Sequence, residues 1–441
     1  MLEGSVMKGL FAMSLPIILM NVFQQIFNAI DMTVLGKYAS DAAVGSVGAC
    51  GTHITLFTGL VGGLAAGANV VVSRFLGHGD REKAERTVGT ALLVGLVGGF
   101  LLLGVGVFFA EDLLRVTHCD ESLIVGAKRY FQLYFCGLPA YMIYYFCACI
   151  LRARGQTRLP MIHLLLGAGA KVILNYVFVA GFHFTVEGVG YASIAANLIS
   201  ATLAFRAVYK MEGVLRFSWK HFRLYGFEFR QILFTGIPVG VETALYSFAN
   251  LAILTVVNGY GPMATTGYSI AIQFNNIVYQ VCVGASYAVM PYVAQNAAAG
   301  NLRRVRETVR DAAILTTVLG GGSGWFCAIF SRTLASLMSK SPDVIEFASE
   351  QIILVSGLYF LCGIMFALNA VLRGLGRPIV PTVSTMVFMF AFRFLWVWFV
   401  YPIHPTPLFL YTVWPVGWVL CILTTLCFYF PTMRRMERHP K

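Results

Sequence analysis

Long apolar stretches separated by short polar loops dominate this chain. A helix crosses a hydrocarbon core of about 30 Å in about 20 residues. The apolar runs 92–109, 352–367 and 408–430 are of that order. Runs and loops together predict helices over 9–36, 44–76, 87–110, 126–151, 159–181 and 188–210. A second set follows over 229–258, 264–298, 308–331, 346–372, 379–402 and 407–430. The segment 211–228 links the two sets of six, and 431–441 forms a tail.

The two sets share sequence. Leu151-Arg152-x-x-Gly155-x-x-x-x-Pro160 returns half a chain later as Leu372-Arg373-x-x-Gly376-x-x-x-x-Pro381. Gly79 and Thr87-Val88 return at the same offset as Gly300 and Thr308-Val309, and Pro16-Ile17 returns one place out of step as Pro238-Val239. A repeat of this length in so apolar a chain predicts a transporter built from two homologous bundles, with cargo bound between them. An even number of spans per half makes the repeats parallel. The expected fold is all-α: a polytopic membrane protein with twelve transmembrane helices in two parallel pseudo-symmetric six-helix bundles. The N-terminal lobe is 1–210 and the C-terminal lobe is 229–430.

Composition agrees. The chain is 58% hydrophobic and 12% charged, with a mean hydropathy of +0.74. Soluble domains carry roughly 25% charged residues, so no sizeable soluble domain is expected. A net charge of +12 could suggest nucleic acid, but its distribution argues against that partner. With the N-terminus inside and loops counted alternately, 24 of the 32 Lys and Arg residues fall on the inside set, Arg152, Arg216, Arg373 and Lys441 among them. Six fall outside, and Lys171 and Arg393 lie within helices. This is the positive-inside bias, and it predicts cytoplasmic termini. The first apolar stretch contains Pro16, Gln24, Gln25 and Asp31 and has no small-residue cleavage site, so it reads as a span and not as a signal peptide. Nothing addresses the chain to an organelle, so a multi-pass protein of the cell membrane is expected.

The ten cysteines are scattered, mostly within helices. Cys147 and Cys149, two apart, point to different sides of a helix and read as packing residues. The glycine runs Gly62-Gly63, Gly98-Gly99 and Gly320-Gly321-Gly322 read as close helix contacts, not as phosphate loops. No ATP motif, metal site or cofactor is expected, so any transport is secondary. The single duplicated chain is expected to be a monomer.

Several motifs in fixed order carry a family resemblance. Pro16 sits early in span 1, and Asp31-x-x-x-Leu35-Gly36 closes it. Arg74, Gly79-Asp80 and Ala84 mark the loop after span 2; Leu-Arg-x-x-Gly follows span 4; and Gly188-Val189 opens span 6. Over essentially its whole length the chain resembles the multidrug and toxic compound extrusion (MATE) family. The resemblance implies two six-helix lobes around a V-shaped cavity, and export of a small organic substrate driven by inward H⁺ or Na⁺.

Charged groups at mid-bilayer cost several kcal/mol unless paired or hydrated, so they are functional candidates. Here they are Asp31, Lys171, Glu242 and Arg393, one acid in the first helix and one base in the fifth helix of each half. The resemblance assigns Asp31 to the family's cation or proton site in the N-lobe. Span 5 of the family commonly carries Asn-x-x-x-Asp at that site. Here the matching residues are Lys171 and Asn175. An ammonium beside Asp31 would stand where a bound cation would sit, which disfavours Na⁺ and leaves H⁺ as the expected coupling ion. The alternative is a static buried ion pair that fixes lobe packing. Glu242 follows Pro238 by four residues, one turn short of the family's helix-7 glutamate, and Cys362 falls where some branches have a helix-10 aspartate. A Glu242–Arg393 pair is the C-lobe expectation.

Uncharged polar residues in the spans turn away from lipid. Gln25, Asn28, Asn250, Gln273 and Asn276 join Glu242 and Arg393 as candidate cargo residues. Tyr141, Tyr144, Tyr145, Tyr246 and Met365 are candidate apolar walls. The charges balance, so cationic, anionic, zwitterionic or neutral cargo remains open. The function expected is secondary antiport of small organic compounds by alternating access. A lipid-linked saccharide flippase of the same superfamily is the alternative. A membrane enzyme would need clustered catalytic residues, which are absent. A channel fits a duplicated monomer poorly.

Overall fold

The computed structural model describes residues 1–116, 121–211, 215 and 217–438. Arg216 and Lys441 lie outside these residues, and the side chain of Tyr246 is not among those described. Among the described residues the structure is helical, with no strand. The first half contains α1 (Val6–Tyr38), α2 (Asp41–Gly77), α3 (Arg81–Phe108), α4 (Ala110–Val116), α5 (Glu121–Cys136), α6 (Leu138–Ala153), α7 (Arg158–Asn175) and α8 (Val186–Tyr209). The second half contains α9 (Gly226–Asn258), α10 (Pro262–Ala298), α11 (Leu302–Ile329), α12 (Ser331–Ser336), α13 (Pro342–Gly357), α14 (Tyr359–Gly374), α15 (Ile379–Thr385), α16 (Phe392–Leu395), α17 (Pro407–Tyr411) and α18 (Val413–Arg438). Among the described residues nine helices qualify by length and composition as membrane spans, or up to eleven when each bent pair counts as one. The seventh predicted span corresponds to α9, a 33-residue helix outside that set, with side chains that are only partly described.

Span 4 is one such bent pair. Helices α5 and α6 meet at 44°, and their counterparts α13 and α14 meet at 42°. The breaks, at Gly137 and Leu358, stand at the offset of the repeated loop motifs. The short helices α4 and α12 start at the same offset. Both fifth spans loosen into π-helical turns, at Tyr176–Gly181 in the first half and at Met386–Ala391 and Trp396–Val400 in the second. Irregularity is thus duplicated along with sequence.

The repeated loop motifs are helix-end devices. Gly155 and Gly376 adopt φ of 90° and 80°, a left-handed conformation that glycine adopts without strain. Each closes its helix with two backbone bonds: Gly155 N to Arg152 O and Gln156 N to Leu151 O, then Gly376 N to Arg373 O and Arg377 N to Leu372 O. This is a Schellman stop. Gly79 and Gly300 end α2 and α10 in the same way, with φ of 72° and 73°. The next residue then starts a new helix. Asp80 accepts from Lys83 N at 3.1 Å, and Asn301 accepts from Arg304 N at 3.2 Å.

The Asp80 carboxyl is held below the usual carboxylate range, first by the Lys83 side chain and then by the Lys83 backbone N–H. A lowered folded-state value means that this cap contributes stability above the ordinary carboxylate range and loses it as pH falls through the folded value. Asp80→Ala is expected to cost about 1 kcal/mol, a typical N-cap loss. Unfolding temperature in detergent at neutral pH checks this, and the difference should shrink on acidification.

By contacts the chain forms two compact units: Met1–Ile18 with Val241–Lys441, and Leu19–Gly240. Both α1 and α9, the first helices of the repeats, therefore contribute to both units. Repeated glycines show why. Within the second unit α2 lies against the start of α9: a Cβ on Gly67 would fall 2.6 Å from Ile232 O, and Gly63 abuts Gly240. Within the first unit α10 lies against the start of α1 in the same way. A Cβ on Gly284, the repeat mate of Gly63, would fall 2.9 Å from Ile18 Cγ1. Glycine permits this backbone approach. Each unit has its own apolar core. One is built around Phe131, Phe135, Leu35 and Val189, the other around Tyr359, Trp418, Met389 and Tyr411.

Candidate functional site

In the unit Leu19–Gly240, α1 and α7 bring three predicted residues together. Asp31 is 6% exposed. Its Oδ2 accepts from Lys171 Nζ in an ion pair, and its Oδ1 accepts from Asn175 Nδ2 at 2.6 Å. Lys171 and Asn175 are four apart, so one helix face presents both donors. A π-helical segment begins at the next residue, Tyr176. Such segments often occur at functional sites. Asn175 is fully buried, and its Oδ1 has no hydrogen-bond partner among the described residues. The Lys171 side chain keeps 15% of its surface accessible. The acid is thus sealed by an amide on one oxygen and held on the other by the ammonium of a partly accessible side chain.

Earlier in α1, Gln24 donates to Tyr145 Oη at 3.3 Å. Tyr145 lies beside Tyr141, with ring centroids 4.5 Å apart and the rings tilted by 40°. Gln25 and Asn28 are exposed. In the other unit, Gln273 and Asn276 on α10 are exposed as well. Their neighbour Asn275 is buried, where it donates to Gln351 Oε1 at 2.8 Å and accepts from Ser356 Oγ at 2.6 Å. Met365 is buried in that unit's core.

The C-lobe expectation needs correction. Glu242 does not have Arg393 as its ion-pair partner. Its Oε2 accepts from Arg373, and its Oε1 accepts from Thr385 Oγ1 at 3.2 Å. Arg393 is 1% exposed and donates to Asn250 Oδ1 at 2.6 Å. Its guanidinium lies 5.4 Å from the Trp414 ring centroid. Asn250 and Arg393 therefore meet each other, while Glu242 is held by three elements: α9, α14 and α15. The physical reason is reach. Arg373 ends α14, and its long side chain turns back into the bundle, so a residue in a loop motif becomes 4% exposed.

Arg152 and Arg373, which the loop count placed among the inside cations, are both held within the protein. Arg152, at the same place in α6, is 5% exposed. Its Nη2 lies 3.5 Å from Met20 Sδ. The signal that could have revealed both is the repeat. Loop cations that only fix topology need not recur at one position, whereas these two do.

Among the described residues, no group of three or more His, Cys, Asp or Glu side chains is arranged to hold a metal ion.

Known proteins share this arrangement of helices. The chain is 25% identical to the probable multidrug resistance protein YoeA of Bacillus subtilis over 393 residues, covering 87% of this chain and 84% of that protein. It is 26% identical to the probable multidrug resistance protein YpnP of the same organism over 400 residues, with 89% and 88% covered. A solved outward-facing multidrug resistance MATE family transporter of the MOP superfamily superposes with a TM-score of 0.90 at 17% identity, covering 99% of this chain and 98% of that one. The MatE family model matches twice, over residues 16–177 and 238–399. Those two matches begin at the prolines that open the repeats and together span most of the sequence; the chain belongs to the MatE family, the multidrug and toxic compound extrusion transporters.

Proposed function

We propose that this protein is a secondary antiporter that exports small organic compounds in exchange for protons moving inward, by alternating access. It is a multi-pass protein of the cell membrane with both termini cytoplasmic. It acts as a monomer, with repeat halves 1–210 and 229–430 joined by 211–228. It transports and does not catalyse a reaction. Relatives named as multidrug resistance proteins support the substrate class.

The observation that carries proton coupling is the Asp31–Lys171–Asn175 constellation. A Na⁺ ion at Asp31 would have to displace an ammonium or share the carboxylate with it, and like charges at close range repel. A proton needs neither. When Asp31 takes a proton, Lys171 loses its counter-charge and the site gains one unit of positive charge. Asn175 can serve both states. Its amide donates to the carboxylate, and after a flip its carbonyl accepts from the protonated acid. Pro16 lies earlier in the same helix, and a helix can bend where a backbone hydrogen bond is missing. Protonation is thereby linked to helix geometry through one pair.

Efflux of a fluorescent organic compound from proteoliposomes tests this reading. Transport is expected with an imposed H⁺ gradient and not with a Na⁺ gradient at equal pH. Drive by Na⁺ alone would overturn it.

A further inference from the structure

Arg152 and Arg373 occupy one position of the repeated motif and are equally buried, yet their surroundings differ. Arg373 meets the carboxylate of Glu242. Glu242 stands four places after Pro238, as Met20 stands four places after Pro16, and it is the Met20 sulfur that Arg152 meets. Tyr144 completes the first-half site, donating to Pro160 O at 2.9 Å with its hydroxyl 3.4 Å from the same sulfur. The Cys149 thiol is a further neighbour of Arg152. Among the described residues no carboxylate pairs with Arg152, and its Nε has no hydrogen-bond partner. A guanidinium stays charged under all ordinary conditions, and thioether and thiol sulfurs are only weak acceptors. A buried charge without a counter-charge is costly. The first half thus lacks the acid that its second copy supplies.

We propose that Arg152 binds an oxyanion of carboxylate or phosphate type, which supplies the charge that Glu242 supplies to Arg373. The planar guanidinium fork matches the two oxygens of such a group. Met20 is the residue that yields. Its side chain has three rotatable bonds, and it lies one turn beyond Pro16. Naming the anion as part of the cargo rests on the antiport reading above; binding itself does not. On that reading Arg152 gives this transporter a preference for cargo with an anionic group.

The test uses the full chain in phosphatidylcholine nanodiscs without any ion gradient. Thermal unfolding is followed by tryptophan fluorescence while benzoate or inorganic phosphate replaces chloride at constant ionic strength. A saturable rise in unfolding temperature is expected. Met20→Glu should unfold at a higher temperature than the parent without added anion and show no anion-dependent rise. Arg152→Met, which removes the charge and keeps the bulk, should also lose the rise and gives the same answer if Met20→Glu does not fold. A rise seen only in nanodiscs containing phosphatidylglycerol would assign the site to a lipid headgroup and still uphold anion binding. No rise with any anion or lipid, or an equal rise in Arg152→Met, would overturn the proposal. Asp31→Asn should keep the rise, so failure of proton coupling and failure of anion binding are distinguishable.

Discussion

Asp31→Asn is expected to reduce pH-driven efflux to the level of empty vesicles while the protein still reaches the membrane in normal amount. The substitution keeps the shape and the possibility of a hydrogen bond to Asn175, and removes the titratable group. It also leaves Lys171 without its anion. With 15% of its side chain accessible, that ammonium can hydrate, so the fold should survive better than at a sealed pair. Asp31→Glu keeps the proton chemistry on a longer stem and should retain part of the activity. Initial rates normalised to membrane protein decide the outcome. Unchanged transport in Asp31→Asn would make the pair a static packing element.

The second large effect is structural. Glu242→Gln should sharply reduce the yield of folded protein. Glu242, Arg373 and Thr385 are all buried at 7% exposure or less. Removing one partner of such a pair strands the other, at about 3–5 kcal/mol. A whole protein is stable by only about 5–15 kcal/mol. The double change Glu242→Met with Arg373→Met removes both charges and should recover most of the loss, because apolar replacement of a complete buried pair is often neutral. Monodispersity in size-exclusion chromatography and unfolding temperature report both. A single change tolerated as well as the double would mean that the pair has no such weight.

These contrasts show what the sequence made legible. Hydropathy runs mark the spans because lipid demands them, and the repeat anticipates paired features such as the Gly79 and Gly300 turns. The meeting of Asp31, Lys171 and Asn175 was readable because intramembrane charges are few and each helix face follows from spacing. The Glu242 partner was not. Two bases were near in sequence terms, Arg393 within a span and Arg373 at a helix end, and charge location favoured the wrong one. Side-chain reach from a helix terminus into the bundle depends on how α9, α14 and α15 pack, which no local pattern encodes. The 44° and 42° bends in spans 4 and 10 stand beside Gly137-Leu138-Pro139 and Gly357-Leu358, whose glycines and proline are helix breakers that a reading of hydropathy runs alone passes over.

On the proposed function Asp31 carries the transported proton. Coupling is reciprocal, so a cargo gradient must move protons uphill through the same site. The most direct measurement loads proteoliposomes with cargo at equal pH inside and out, without Na⁺, and follows the internal pH as cargo leaves. Proton movement against the cargo is expected in the parent protein and none in Asp31→Asn. Equal proton movement in both, or cargo exit without any pH change in the parent, would contradict it.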